Sequence, residues 1–343
     1  MTASDSNTSA ASGQYAVSVI VPAHNVAPYL RRCVKSLLDQ TLGDRLEILL
    51  IENGSTDSTP AVCRELAALH PNVRALVSPT VGPGNARNFG LRHATGKYIG
   101  FIDGDDHIAP SMYEELIDAI ETTEADTSWC NFRFDYTEAA QIPSGTTPPS
   151  DTGRTPVFSS ADAAFDIITD RATSSICTRL FRRSFFNSHL FPENQLYEDH
   201  AVMFRWIADC HKAAHIDRAL YYYCLRAGST TQSSPDIRRQ ANLMTAQLGR
   251  LKFIDSYRAF TPEQTRKARN IALKYAIYIL KSYIYQTDDT PGERQSAMQL
   301  REMLLDACSY TTRDIKFSLW FRMLRIKHAW NGYYRHLARK KNT

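Results

Sequence analysis

The sequence predicts an α/β chain in which a mostly parallel central sheet is flanked by helices and followed by a helical C-terminal region. Three observations predict it. Short β-branched runs alternate with helical runs through the first 120 residues, the pattern of successive β-α-β units. The apolar runs are continuous rather than alternating, as in strands covered on both faces. From Asp236 onward the apolar spacing is helical throughout.

Taken in order, Val17-Ser-Val-Ile-Val-Pro22 reads as the first strand. Pro28 stands where the first turn of a helix tolerates it, and Leu30, Cys33, Val34, Leu37 and Leu38 follow at helical spacing. The second strand is Glu47 to Ile51, and the turn Asn53-Gly-Ser-Thr-Asp-Ser58 leads into a helix ending near His70. A third strand covers Val73 to Val77. The turn Val81-Gly-Pro-Gly84 opens a helix over Asn85 to Ala94, and a fourth strand runs from Tyr98 to Ile102. A further strand spans Thr127 to Phe134, and the Pro-, Thr-, Gly- and Ser-rich stretch Thr137 to Val157 reads as a long mobile loop. A helix is expected from Ser159 to about Arg171, and Ser174 to Ser234 is mixed. The organisation expected is a disordered N-terminus over 1–14, an α/β domain over 15–234 and a helical domain with a basic amphipathic end over 235–343.

The net charge is +4, unevenly spread. Between Thr311 and Thr343 nine Lys or Arg face a single acid, Asp314, so that segment carries +8 and the rest about −4. A basic end on a mildly acidic body points to an anionic partner for the end and argues against nucleic acid as a partner of the body. The seven cysteines are scattered without a CxxC pair, which disfavours a zinc knuckle or a redox dithiol and fits a cytosolic chain. The start, Met1 to Gln14, has neither the basic nor the apolar region of a signal peptide. No apolar run is long enough to span a bilayer.

Ligands of parallel α/β sheets bind beyond the carboxyl ends of the strands. Three polar clusters stand there: Ala23-His24-Asn25, Glu52-Asn53-Gly54 and Asp103-Gly-Asp-Asp106. Carboxylates two apart at a strand end suit Mn2+ or Mg2+, hard cations that fill their shell with phosphate oxygens and water. Such an ion offsets charge building on a diphosphate leaving group. The plainer reading of the same acids is a solvated turn. Gly82-Pro-Gly-Asn-Ala-Arg-Asn-Phe-Gly90 opens a helix whose free amides suit a phosphate, and Arg87 lies in its first turn. Its spacing matches neither GxGxxG nor the Walker loop. Glu198-Asp199 heads another helix, where the helix dipole alone favours acids; the chemical alternative is a general base for an attacking hydroxyl. Of the histidines, His107 and His200 lie beside the two acidic motifs. Arg226 and Ser229, after Leu220-Tyr-Tyr-Tyr-Cys224, are further candidates for the same cleft.

Five stretches taken in order resemble family 2 glycosyltransferases of the GT-A, Rossmann-like fold: Val17 to Asn25, Glu52 to Thr59, Gly84 to Leu91, Asp103 to Asp106, and Glu198-Asp199. The match runs from about Ala16 to Ser234 and leaves the last third uncovered. The resemblance implies a metal-dependent, inverting transfer of a hexosyl or N-acetylhexosaminyl group from a nucleotide-sugar, by family weight a UDP-sugar, to an acceptor hydroxyl. It implies that Pro22, Ala23 and Asn25 line the nucleoside pocket, that Glu52 and Asn53 meet the base, and that Arg87 approaches the diphosphate or nucleoside. Asp103 would bind the ribose or the base-proximal part of the donor, Asp105 would hold the metal with Asp106 sharing it, and Asp199 would be the catalytic base, shaped by Glu198. The family usually has two acids before Gly-Ser, whereas Glu52-Asn53 stands here. An Asn serves either uracil or cytosine. The stretch from Phe181 to Ser229 looks most like enzymes of bacterial surface polysaccharides and teichoic acids, which implies a glycan, polyol-phosphate or lipid-linked acceptor.

In the last third, Ile315, Leu319, Phe321, Leu324, Trp330 and Tyr333 interleave with basic residues. An amphipathic helix on the cytoplasmic face of an anionic membrane and a helix packed on the catalytic domain or on a second copy of the chain both fit. Two other functions compete. A sugar nucleotidyltransferase would carry a Gly-rich basic loop after the first strand, where Val21-Pro-Ala-His-Asn25 stands. A non-catalytic glycan-binding scaffold would be expected to lose Asp105 or Asp199.

Overall fold

The computed structural model describes residues 15–136, 151–225 and 236–339. In chain order its elements are β1 (Val17–Ala23), α1 (Ala27–Leu38), β2 (Leu46–Glu52), α2 (Thr59–Leu69), β3 (Val73–Val77), α3 (Pro83–His93), β4 (Tyr98–Phe101), β5 (His107–Ile108), α4 (Met112–Thr123) and β6 (Thr127–Tyr136). There follow β7 (Val157–Ser159), α5 (Ser160–Ile168), β8 (Arg179–Arg182), α6 (Glu198–Ala208), β9 (Lys212–Leu225), α7 (Ile237–Ser256), α8 (Pro262–Gln286), α9 (Pro291–Ala307), α10 (Phe317–His328) and α11 (Trp330–Arg339). The chain divides into two compact units. One holds Met1–Val157, Ile176–Leu190 and Ala214–Leu225; the other holds Phe158–Ser175, Phe191–Ala213 and Arg226–Thr343. The chain passes between the two units several times.

The sheet runs β3-β2-β1-β4-β8-β6-β9-β5, with β7 also paired to β9. The first four strands in this order are parallel: Val17 faces Leu46 and Tyr98, and Ile48 faces Val73. Beyond β4 the pairing turns antiparallel, with β8 against β4 and β6, and β9 against β5. The α/β class read from the sequence holds. The alternation of strand and helix that predicts parallel pairing ends at β4, and the mixed stretch after it supplies the antiparallel half.

β1 and β2 form the centre, with Val19, Ile20, Val21 and Ile48 to Ile51 fully buried. α1 is a helix because Leu30, Cys33, Val34 and Leu37 fall on one stripe and Pro28 is accommodated in its first turn. α3 lies unusually close to β1: a Cβ on Gly90 would stand 2.5 Å from Ile20 Cγ2, so only glycine permits this approach. Glu47, buried at the start of β2, accepts from the Ser18 hydroxyl, Arg74 Nη1 at 2.8 Å and both Thr95 N and Oγ1 at 2.9 Å. That carboxylate ties three strands to the turn before β4.

The second unit is helical. α8 and α9 each begin with Thr, Pro and a capping box: Thr261 with Gln264, and Thr290 with Glu293. Such caps contribute about 1 kcal/mol each. Leu251 and Ile254 of α7, Leu273, Ile277 and Leu280 of α8 and Leu300 and Leu304 of α9 are buried, as are Leu319 and Ile326 of α10. An aromatic cluster of Phe204, Phe253, Tyr257, Phe260 and Phe165 joins α5, α6 and α7. Among the described residues no helix is long and apolar enough to cross a membrane. All seven cysteines are free thiols, six of them buried.

Candidate active site

The register of the parallel strands places three loops at one sheet edge. Ala23 pairs with Glu52, and Ile20 with Phe101, so residues 23–25, 52–55 and 102–106 leave the sheet together. The first two are stitched by side chains. Asn25 adopts a left-handed φ of 52°, which its short polar side chain tolerates, and its Oδ1 accepts from Thr56 N at 2.8 Å. Asn25 N donates to Ser55 Oγ at 3.2 Å, and His24 Nδ1 lies 2.9 Å from Asn53 O. Glu52, nearly buried, accepts from Ser55 N at 2.7 Å. Gly54 supplies the turn with a φ of +72°. Pro22 is half-buried and Ala23 buried at the floor.

Asn53 recruits a further loop. Its Nδ2 donates to Thr80 O at 2.9 Å and its Oδ1 accepts from Gly82 N at 2.7 Å, so both ends of the amide engage the turn before α3. One N–H and one lone pair are left over. Glu52 and Asn53, expected side by side at a base, thus have different local partners.

The acidic turn is pinned on three sides. Asp103, about 40% exposed, accepts from Arg87 Nη2 at 2.8 Å, and Arg87 itself is 5% exposed. Asp106 is buried; its Oδ1 accepts from Cys224 N at 2.7 Å and its Oδ2 from the Tyr221 hydroxyl. That hydroxyl also lies 3.4 Å from Asp103 N, which donates to it. Arg32 Nη2 donates to Asp105 O at 3.0 Å, and its Nη1 lies 3.2 Å from Asp135 Oδ2. Burial, then the neighbouring Asp105 and Asp103, push the Asp106 carboxyl well above the usual range, and burial pushes the Tyr221 phenol up as well. The Asp105 side chain is half-buried at the head of this turn. Of the acids expected to hold a cation, Asp106 has both oxygens committed to β9 and Asp105 has its backbone fixed by Arg32.

The donor set fits a hard divalent ion. Asp103 and Asp105 offer partly exposed carboxylates on a rigid turn, and phosphate oxygens and water complete such a shell. Among the described residues no cluster of three or more His, Cys, Asp or Glu is arranged as a self-sufficient metal cage.

Glu198 and Asp199 belong to the second unit, at the start of α6. Tyr197, with a φ of 59°, turns the chain into the helix. Glu198 is buried, whereas Asp199 is half-buried and its Oδ1 accepts from His200 N at 2.7 Å. Facing this turn from α7 is Arg250, 1% exposed. Its Nη1 lies 3.4 Å from Asp170 Oδ1 and its Nη2 3.5 Å from His200 Nδ1.

The residues not anticipated are Arg32, Tyr221 and Arg250. Arg32 and Arg250 look like ordinary surface positions of amphipathic helices, and Tyr221 like one of three tyrosines in a strand. Of the histidines, His107 has Nε2 3.6 Å from Asp135, and burial lowers its pKa. His215 is packing: it stacks on Trp129 and bonds Asn131 Oδ1 at 2.9 Å. Arg226 and Ser229 lie outside the described residues, as do residues 1–14 and most of the expected loop over 137–157.

Comparison with known proteins bears on the family and the fold. The family model described as glycosyl transferase family 2 matches residues 18–190. An uncharacterised glycosyltransferase of Bacillus subtilis (strain 168), EpsJ, is 29% identical over 222 residues, 63% of this chain and 63% of that one. An uncharacterised glycosyltransferase of Escherichia coli (strain K12), YibD, is 29% identical over 266 residues, 76% of this chain and 74% of that one. The chain thus spans less than two thirds of the length of EpsJ. Among solved structures, S. aureus TarS 1-349 in complex with UDP-GlcNAc superposes with a TM-score of 0.73 at 17% identity, over 95% of this chain and 91% of that one. A mannosyltransferase from Pyrobaculum calidifontis in complex with GDP-Man and Mn2+ gives 0.53 at 18% identity, over 95% and 86%. At these identities the structural likeness is one of fold, and the family is carried by the sequence match: the chain belongs to glycosyl transferase family 2.

Proposed function

We propose that this glycosyltransferase is metal-dependent and inverting, and moves a sugar from a nucleotide-sugar, most simply a UDP-sugar, to a hydroxyl of a cell-surface glycan, polyol phosphate or lipid-linked acceptor. The observation that carries the donor side is the convergence of the Glu52, Asn53 and Asp103–Asp106 loops at one edge of the parallel strands, with Arg87 ion-paired to Asp103. Pro22, Ala23 and Asn25 would line the nucleoside, with Glu52 toward the base and Asn53 building the loop around it. Arg87 and Asp103 together would hold the ribose and diphosphate side. Asp105 would contribute the carboxylate to Mn2+ or Mg2+, and Asp106 would set the turn from beneath. The ion offsets negative charge on the departing diphosphate. Asp199 would take the proton from the acceptor hydroxyl as it attacks the anomeric carbon, with Glu198 shaping its turn. The names of the structural neighbours support a nucleotide-sugar, since TarS is described with UDP-GlcNAc and the mannosyltransferase with GDP-Man and Mn2+.

The last helices fit a peripheral contact with an anionic membrane. Phe317 and Phe321 of α10 are 65% and 50% exposed and lie one turn apart, while Lys316, Arg322 and Arg325 are exposed beside them. No acid follows Asp314.

Isothermal titration with UDP, CDP and GDP, each with and without Mn2+, tests the donor reading. Metal-dependent binding of one nucleotide is expected. Binding of none would favour a non-catalytic scaffold, and pyrophosphate release from a nucleoside triphosphate would favour a nucleotidyltransferase. Sedimentation with anionic liposomes tests the membrane contact, which fails if binding is equal with and without residues 311–343.

A further inference from the structure

Within the second unit a buried cation stands behind the turn that presents Asp199. Arg250 is 1% exposed on α7. Asp170, itself in a left-handed conformation with φ 55° and about 42% exposed, meets it at 3.4 Å. On the other side Arg250 Nη2 reaches His200 Nδ1 at 3.5 Å. A guanidinium only donates, so this contact requires Nδ1 to be the lone-pair nitrogen and Nε2 to carry the proton. Arg250 Nε is buried and has no hydrogen-bond partner among the described residues. A buried donor without a partner costs stability rather than adding it. Fold stability therefore gives little reason for an arginine here, since an apolar side chain of similar length would fill the space at no cost.

We propose that Arg250 is a positioning residue: anchored by Asp170, its guanidinium seats the first turn of α6 through His200 and supplies the positive field in which Asp199 works as the base. This rests on the assignment of Asp199 as the base. The charged and titratable groups around that turn are Glu198 and His200 on α6, Arg239 of α7 toward Tyr197, and Asp170 and Tyr275 on the far side of Arg250. Among them Arg250 is the buried cation in contact with the turn. Electrostatic attraction to Asp199 is among the influences on Arg250 itself, whose pKa is lowered mainly by burial.

The test compares the parent with Arg250→Met, Arg250→Lys and Asp199→Asn, all in the full chain. The first readout needs no turnover: in a 15N-histidine spectrum His200 is expected in the Nε2–H tautomer, with a mixed tautomer in Arg250→Met. The second is release of UDP from UDP-N-acetylglucosamine with Mn2+, water standing in for the acceptor, resolved into kcat and KM. Loss of the guanidinium that seats the turn should lower kcat about tenfold in Arg250→Met, with partial return in Arg250→Lys. The KM for the donor should not change, and the melting temperature should stay or rise. If Arg250→Met keeps the His200 tautomer and the parent kcat while Asp199→Asn is inactive, the positioning role fails and the base stands. If Asp199→Asn releases UDP as fast as the parent, the base assignment fails and takes this proposal with it.

Discussion

Tyr221→Phe removes one oxygen and leaves the ring in place, so no cavity complicates the result. The lost hydroxyl bonds Asp106 Oδ2 and receives Asp103 N at 3.4 Å. A hydrogen bond to a buried carboxylate contributes about 1.5–3 kcal/mol. Asp106 keeps its 2.7 Å bond from Cys224 N, and the contact from Asp103 N is long, which places the expected loss near 2 kcal/mol. For a cooperative unit of this general size that is a fall of roughly 4–8 °C in Tm. Urea unfolding of parent and variant should give a lower midpoint with an unchanged slope. Mn2+-dependent UDP binding should weaken in parallel, because the same hydroxyl spans the two ends of the acidic turn. A loss below about 0.5 kcal/mol, the ordinary range of surface substitutions, would refute the view that this turn is held from β9.

Three further outcomes follow from the same reasoning. Glu47→Ala strips four donors of a buried acceptor and should cost about 3–5 kcal/mol, read by chemical denaturation, with Glu47→Gln less damaging; a loss within about 1 kcal/mol would mean that Arg74 and Thr95 are satisfied by water. Asp105→Asn should leave Tm in place, since the side chain is half-exposed, yet weaken nucleotide binding at least about tenfold in Mn2+ and little in its absence. Burial lowers the pKa of His215 from its ordinary 6.5, so the unfolded chain takes up the proton first: the associated stability is present above pH 6.5 and is lost as pH falls through the lower folded value. In His215→Gln the slope of Tm against pH below 6.5 should flatten, and an unaltered slope would remove His215 as its source.

Much of the fold was legible because strand burial writes itself directly into composition. Val17–Pro22 and Glu47–Ile51 are apolar without alternation, and both proved to be central parallel strands. The antiparallel half was less legible, since β8 is only four residues long and its partners lie far away in sequence. The loops of the candidate site were legible because they follow strand ends, as Asp103 and Asp105 follow β4. The site was opaque where a side chain is buried by partners distant in sequence. Nothing in the pattern around Arg250 separates it from a solvated helical arginine, because its partners His200 and Asp170 lie 50 and 80 residues away in the chain. Asp106 and Asp105 look alike in sequence, yet Asp106 is buried against Tyr221 and Cys224 of β9 while Asp105 is half-buried with Arg32 at its carbonyl.

The bonds of the Asn53 amide bear on how specificity in this chain is open to change. An aspartate there would still accept from Gly82 N but would set a carboxylate against the carbonyl of Thr80, and the turn leading to Gly82 would have to be rebuilt. Residue 53 and the segment 78–82 therefore behave as one interchangeable cassette. In the donor site proposed above, a change of nucleobase calls for changing the two pieces jointly, since altering residue 53 alone disturbs its bonds to Thr80 O and Gly82 N.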